Sequence, residues 1–279
     1  MSKSKVILIT GASSGIGFDA AQALARQGHR VWAAARRVEL MESLKADGVQ
    51  VLRMDLTDDD AMREGVDAVV KAEGHIDVLI NNAGYGYFGA IENVALDEAR
   101  KQLEVNVFGL ARLTQLVLPY MRKQGHGRII NTSSIAGKVV FYMGGWYSVT
   151  KYAVEALSDA LRMETKPFGI DVVKIEPGAI KTDWGVIASR HLRESAAGTA
   201  YEEAGMRWAD NIGWAYESRW LSKPEVITRL VCRAVNSRRP KARYCRGRFV
   251  GTVLSLNALL PVRWWDAMMR QGGKVRVKP

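Results

Sequence analysis

Cysteine is nearly absent: Cys232 and Cys245 are the only two in 279 residues, and their spacing is not that of a metal-ligand pair. Two thiols are too few for a disulfide framework, so a reducing compartment is the default expectation. Histidine is almost as scarce, and His29, His75, His126 and His191 are scattered along the chain. No metal site is expected. Long apolar runs are missing too. The longest uncharged stretch, Phe249 to Val262, has fourteen residues including Pro261, short of the roughly 18 or more that span a bilayer as a helix. The opening Met1-Ser2-Lys3-Ser4-Lys5 passes directly into apolar sequence with no signal-peptide hydrophobic region, so secretion is not expected and a cytoplasmic location is.

Acidic residues are lacking at one end. From Arg219 onward fifteen Lys or Arg stand against Glu225 and Asp266 alone, so the net charge of +11 belongs to the C-terminal quarter. No nucleic-acid recognition module accompanies that charge, and no nucleic-acid partner is expected. What is present is ordinary globular material, 48% hydrophobic and 25% charged. Residues 1–279 read as a single domain with a well-buried core and no repeats.

Short apolar runs alternate with longer amphipathic stretches. Val6 to Thr10, Val31 to Ala35, Val51 to Met54, Val78 to Ile80, Arg128 to Asn131 and Val172 to Ile175 read as strands. Gly15 to Gln27, Glu39 to Lys45, Asp58 to Lys71, Asp97 to Arg122 and Ser148 to Pro167 read as helices. Strands without polar alternation are buried on both faces, and their regular exchange with helices predicts an α/β fold: a Rossmann-like, doubly wound parallel sheet with helices on both sides.

Ligands bind such sheets at the carboxyl ends of the strands, and here those ends are chemically rich. The first delivers Thr10-Gly11-Ala12-Ser13-Ser14-Gly15-Ile16-Gly17, a glycine-rich turn opening a helix, where a pyrophosphate can approach backbone N–H groups. The second delivers Arg36-Arg37, the third Asp55-Leu56, the fourth Asn81-Asn82-Ala83-Gly84, the fifth Thr132-Ser133-Ser134 and the sixth Glu176-Pro177-Gly178. Asp55 can equally serve as a helix N-cap, and one of Asn81 and Asn82 is expected to be mainly structural. Tyr147 and Lys151 follow at Y-x-x-x-K spacing, thirteen residues after Ser134. Four residues apart on a helix they share a face, and an ammonium beside a phenol is expected to lower the phenol's pKa toward neutrality.

In order and spacing, these motifs over roughly residues 5 to 185 resemble the short-chain dehydrogenase/reductases. The resemblance implies that Tyr147 is the general acid/base and that Ser134 hydrogen-bonds the substrate carbonyl. Lys151 would contact the nicotinamide ribose, and Asn106 would hold a water linking Lys151 to solvent. It further implies a dinucleotide held by Gly11, Ser13, Ser14, Gly15, Ile16 and Gly17, with Asp55 and Leu56 near the adenine. Asn82, Ala83, Gly84, Pro177, Gly178, Ile180 and Thr182 would complete that site. An acid after the second strand suits a 2′-hydroxyl and an arginine a 2′-phosphate, so Arg36 and Arg37 point to NADP(H). The wording Ala33-Ala34-Ala35-Arg36-Arg37 and Glu176-Pro177-Gly178 looks like the hydroxysteroid and retinol dehydrogenase side of the family. A homodimer or homotetramer, packed through the helices at about Asp97 to Arg122 and Ser148 to Pro167, is also implied.

After Thr182 the pattern turns irregular, and residues 183–223 resemble the family's substrate lid, expected to be helical. They hold Trp184, Tyr201, Trp208, Trp214, Tyr216 and Trp220, and aromatics so dense suggest a large apolar pocket for a lipophilic ketone or alcohol. Residues 249–279 form a basic, amphipathic extension. Trp264, Trp265, Met268 and Met269 are expected on one helical face behind Pro261, near Arg263 and Arg270, with Lys274, Arg276 and Lys278 following. Such a helix can cover the substrate cleft, meet a partner subunit or lie peripherally on a membrane. The function expected is carbonyl–alcohol interconversion on an apolar substrate. The same residues would serve a 3-oxoacyl thioester reductase, whose acidic carrier could meet the basic quarter, and a reading of another class is a catalytically silent dinucleotide sensor.

Overall fold

A computed structural model of the chain describes residues 4–218 and 221–271. Among the expected features, Trp220, Lys274, Arg276 and Lys278 lie outside the described residues. The chain begins β1 (Val6–Thr10), α1 (Gly15–Arg26) and β2 (Arg30–Ala35), then β3 (Gln50–Arg53), α2 (Asp59–Glu73) and β4 (Val78–Asn81). It continues through α3 (Leu96–Leu103), α4 (Leu110–Gln124), β5 (Gly127–Thr132), α5 (Gly145–Thr165) and β6 (Ile170–Pro177). The last third adds α6 (Asp183–Ala196), α7 (Glu202–Glu217), α8 (Glu225–Asn236), β7 (Arg243–Arg246), α9 (Val250–Leu259) and α10 (Val262–Gln271).

All seven strands are parallel, in the order β3-β2-β1-β4-β5-β6-β7. This is the expected Rossmann-like sheet, and its order reverses between β1 and β4. Every residue of β1 and β4 is buried, because apolar helices cover both faces. On one side Ile7, Ile9, Val31 and Ile80 pack with Leu24 of α1 and Val231 of α8. On the other, Val6, Leu8, Leu79 and Ile129 pack with Val66 of α2 and Val117 of α4.

The expected helix at Glu39 to Lys45 is instead a run of 3-10 turns over Val38–Asp47, whose buried residues Met41 and Leu44 are three apart. A three-residue turn places both on one side, which a 3.6-residue turn does less well. The long helix expected from Asp97 to Arg122 is interrupted by a π-helical segment, Glu104–Gly109, between α3 and α4. The N-cap of α2 is Asp58, which accepts from the N–H groups of Asp60 and Ala61. Asp55 does not cap it; its carboxylate accepts from the backbone and hydroxyl of Thr57 in a local turn.

The segment after Thr182 is helical, as expected of residues 183–223, although the sequence pattern there is irregular. It forms α6 and α7, which meet through small residues: a Cβ on Gly205 would lie 2.4 Å from the Cβ of Ala196. Leu192, Trp184 and Trp208 pack around this small-residue contact, and the Tyr216 ring lies over Gly185. Strand β7, Arg-Tyr-Cys-Arg, had no apolar signature, since only Tyr244 is buried. It is held at the sheet edge by pairing with β6 and by the bidentate Arg243–Glu176 contact, 3.0 and 2.8 Å, on a fully buried carboxylate.

Candidate active site

The glycine-rich turn closes against the end of β4. Thr10 Oγ1 accepts from the backbone N–H groups of Asn82 (3.1 Å) and Ala83 (3.2 Å), and Asn82 Nδ2 donates to the carbonyls of Thr10 (3.2 Å) and Gly11 (3.4 Å). Gly11 has φ +67, and a Cβ there would lie 2.6 Å from Ala83 Cα; one on Gly17 would lie 2.4 Å from the Gly11 carbonyl oxygen. Glycine is required at both positions by the close approach of backbone to backbone. Ser14, the extended N-cap of α1, makes no side-chain cap bond, so the N–H groups of the first turn are left for another acceptor. Across the turn, Thr182 Cγ2 lies 3.2 Å from the position a Gly15 Cβ would take.

Arg36 and Arg37 are exposed at the end of β2, and Arg37 Nη2 reaches Ser13 Oγ at 3.5 Å. Among the described residues neither forms an ion pair with a carboxylate. Arg37 thus borders the glycine turn at Ser13, while the Arg36 charge acts on Tyr85 beyond β4. A cradle with helix N–H groups at its floor and arginines at its rim fits a phosphate-rich dinucleotide.

Other expected contributors have different immediate partners. Leu56 is buried against the π-helical segment, where a Gly109 Cβ would meet its carbonyl oxygen at 2.4 Å. Gly178 N–H donates to the Arg246 carbonyl (2.8 Å), and a Cβ on Gly178 would strike Val250 at 2.4 Å. Ile180 is buried and bridges to Ser222, while Ile16 packs on the core beneath the turn. Asn81 bonds Thr114 Oγ1 and Asn131 Oδ1 at 3.0 and 2.9 Å, tying β4 to β5 and α4.

Four polar side chains meet between β5, α5 and the π-helical segment. Tyr147 and Lys151 occupy successive turns of α5, with Lys151 Nζ 5.8 Å from the centre of the Tyr147 ring. Lys151 Nζ donates to the Thr132 carbonyl at 2.9 Å. Asn106 Oδ1 accepts from Tyr85 N–H (3.0 Å), and its Nδ2 donates to the Tyr85 carbonyl (2.8 Å) and Thr150 Oγ1 (3.1 Å). Gly84 brings these groups together, since its Cβ would lie 3.0 Å from Asn106 Oδ1 and 3.7 Å from Lys151 Nζ. Ser134, two residues beyond β5, accepts from Ala136 N–H (3.1 Å) and donates to the Pro177 carbonyl (3.5 Å), and its hydroxyl lies close enough to the Tyr147 phenol to draw its pKa down.

The Tyr147 ring is roofed by aromatics. Trp184 lies 5.0 Å and Phe88 5.8 Å from it, centre to centre, and Trp184 meets Phe88 edge-on at 5.6 Å. Trp184, Tyr201 and Trp208 are half-buried around this cluster, Tyr216 lies beside Trp184, and Trp214 is exposed. Of the aromatics expected to line a large pocket, Trp184 packs on the phenol ring, Tyr216 on Trp184, and Trp208 on Tyr142.

Burial also reverses the expected electrostatics. Desolvation pushes the Tyr147 phenol up to about 12, against the downward pull of the Ser134 hydroxyl. Desolvation pushes the Lys151 ammonium down to about 8, with the Glu155 carboxylate opposing. Both shifts favour neutral forms, because the low-dielectric roof penalises either charge.

Residue order had pointed to the glycine turn, Ser134, Tyr147 and Lys151, but not to Thr132, Tyr85 or Thr150, which act through backbone or hydroxyl groups. Phe88 carried a readable signal: it stands just beyond Asn81-Asn82-Ala83-Gly84, at a strand's carboxyl end.

Comparison with known proteins adds the following. Residues 5–191 match the family model described as short chain dehydrogenase. The chain is 37% identical over 263 residues to a probable short-chain type dehydrogenase/reductase, VdlC, of Helicobacter pylori, covering 94% of this chain and 96% of that protein. It is also 37% identical over 240 residues to a 3-ketodihydrosphingosine reductase of Bacteroides thetaiotaomicron, covering 86% of each. Among solved structures it resembles an alcohol dehydrogenase from the archaeon Thermococcus sibiricus complexed with 5-hydroxy-NADP, with TM-score 0.71 and 26% identity over 89% of this chain and 98% of that one.

The Lys151 shift gives a pH test. Unfolding returns the ammonium to its ordinary 10.5 from about 8, so between those values the unfolded chain holds a proton the folded chain has shed. Stability must rise with pH across that window, and the burial cost of the ammonium is present in full below it. Urea-unfolding midpoints of the unaltered protein should therefore climb relative to Lys151→Met from about pH 8 to 10.5. Parallel profiles in the two proteins would refute the shift.

Proposed function

Because the chain belongs to the short-chain dehydrogenase family, we propose that it is an NADP(H)-dependent oxidoreductase interconverting a carbonyl and an alcohol on a lipophilic substrate of steroid, retinoid or long-chain type. The observation that carries this reading is the convergence of Ser134, Tyr147 and Lys151 beneath an aromatic roof beside the glycine turn. The relative named as a 3-ketodihydrosphingosine reductase supports ketone reduction. The solved relative in complex with 5-hydroxy-NADP supports the choice of nucleotide.

Gly11, Gly15, Gly17 and Thr182 would hold the pyrophosphate, with Ser13, Ser14 and Ile16 shaping the turn and Arg36 and Arg37 taking the 2′-phosphate. Asn82, Ala83 and Gly84 would border the nucleotide from β4, Asp55 and Leu56 from the adenine side, and Pro177, Gly178 and Ile180 from β6. When bound, the dinucleotide supplies or accepts the hydride. In the reducing direction, Ser134 Oγ donates to the substrate oxygen and fixes it, and Tyr147 Oη gives that oxygen its proton. Lys151 stabilises the phenolate left behind, and Asn106, fixed by Tyr85, orders the water that returns a proton. Substrate access displaces the Trp184 ring of the 183–223 lid. Leaving the roof removes the desolvation that holds the phenol up to about 12, so opening and activation of Tyr147 are the same event.

Phe108, Val149, Tyr152 and Met163 are exposed apolar groups on the helical surface formed by the π-helical segment and α5. They support a homodimer or homotetramer packed through this face. A single-chain mass in sedimentation velocity would remove that part of the reading.

Oxidation of NADPH should be followed with ketosteroids, retinal, medium-chain ketones and 3-oxoacyl thioesters. Tyr147→Phe should lower kcat by roughly 10²- to 10⁴-fold, and unchanged turnover would overturn the mechanism. Turnover confined to acyl thioesters would replace the lipophilic-ketone reading, and nucleotide binding without any turnover would favour a sensor. Arg36→Asp should raise the KM for NADPH steeply while sparing NADH; equal effects on both would defeat the NADP assignment.

A further inference from the structure

The α9–α10 pair has a surface that a water-facing domain does not need. From Phe249 to Val262 there is no charged residue, and α9 carries only Thr252, Ser255 and Asn257 as polar side chains, with Val253, Leu254 and Leu256 half-buried. An uncharged, largely apolar helix is ordinarily covered by protein or lipid, yet only Val250 of α9 is buried. At the α9–α10 corner Leu259 is 80% exposed, Val262 74% and Trp264 69%, and Phe249 at the other end of α9 is 58% exposed. Trp264 and Trp265 do not share a face as expected. Trp265 is buried at 6% exposure while Trp264 faces solvent, so α10 is anchored by one ring and presents the other.

Charge selects the occupant. Exposed Arg246 and Arg248 precede α9, exposed Arg263 and Arg270 lie on α10, and Asp266 is the only acid from residue 246 to 271. Apolar side chains including a tryptophan, bordered by arginines, match an anionic lipid interface, where rings sit at the acyl boundary and guanidinium groups meet headgroup phosphates. A second copy of this chain is a poorer fit, because a two-fold contact would set the same arginines against each other with one Asp per copy to offset them. Among the described residues no helix is long and apolar enough to cross a membrane, so the contact is peripheral.

We propose that α9 and α10 dock this chain on an anionic bilayer surface, with Leu259, Val262 and Trp264 inserted and Arg263 and Arg270 at the headgroups. The proposal does not rest on the oxidoreductase reading. If both hold, the surface delivers the chain to where a lipophilic substrate is dissolved.

Flotation of the full chain with vesicles of phosphatidylcholine, with and without phosphatidylglycerol, tests it. The chain should float with the anionic vesicles and much less with the neutral ones. The combined Leu259→Asp, Val262→Asp and Trp264→Asp variant should not float. Arg263→Gln with Arg270→Gln, which removes no apolar contact, should weaken partitioning on the order of thirtyfold, at about 1 kcal/mol per basic residue. Thermal melts and sedimentation velocity should show all variants folded and of unchanged mass. Failure of the unaltered chain to float with anionic vesicles would overturn the proposal, as would undiminished flotation of the apolar variant. Loss of oligomer mass in the apolar variant, without vesicle binding by the unaltered chain, would assign the surface to self-association instead. Should the apolar variant not fold, the arginine pair decides: flotation insensitive to it and to salt would remove the headgroup contact.

Discussion

At the point where strand order reverses, β1 and β4 pair directly, and one hydroxyl and one amide tie their ends together beyond the paired residues. Thr10 Oγ1 accepts from two successive N–H groups beyond β4, and Asn82 returns two bonds to the carbonyls of the glycine turn. The two backbones approach so closely that neither Gly11 nor Gly17 tolerates a Cβ. A parallel sheet must leave a crevice at such a reversal, because the connections on either side depart to opposite faces. This joint keeps the crevice narrow and aims the N-terminus of α1 into it. The same β4 extension then carries Gly84 between Asn106 and Lys151 and Phe88 over Tyr147. One loop thereby sets both the nucleotide cradle and the roof of the reactive cluster.

Competition between burial and charge governs that cluster. A Tyr–Lys pair on one helical face suggests a phenol eased toward ionisation, but at 5.8 Å from the ring the ammonium does not outweigh the desolvation imposed by Phe88 and Trp184. The ammonium is itself held by the Thr132 carbonyl and is itself desolvated. Burial thus holds the phenol firmly protonated and makes Lys151 a weaker base than a solvated lysine. Trp184 belongs to α6 and rests on Phe88, Tyr147 and Tyr216. It therefore brings the last third of the chain into direct contact with the reactive phenol of α5.

The last third also extends the sheet outward. β7 has little apolar content, and an edge strand of this kind is kept in place by paired charge: Arg243 holds the buried Glu176 carboxylate. Charged side chains suit an exposed edge because they discourage pairing with another sheet. The same strand brings Gly247 and Val250 against Gly178, so α9 starts at the very end of β6. An apolar, arginine-bordered helix pair is thus fixed to the rim of the sheet and does not trail from it.

Local spacing determined a good deal by itself. The strand ends, the glycine turn, the same-face placement of Tyr147 and Lys151 and the switch of periodicity between elements are all properties of residues near one another in sequence, and they specified the parallel α/β sheet. The tertiary structure alone decided what depends on chain-distant contact. Thr132 and Tyr85 contribute backbone atoms, which residue type does not encode. β7 exists because Glu176 and β6 receive it, and Trp264 and Trp265 part company because only one finds a core to enter. The pKa values of Tyr147 and Lys151 belong to this second group as well, since burial is a property of the whole packed molecule and not of a four-residue spacing.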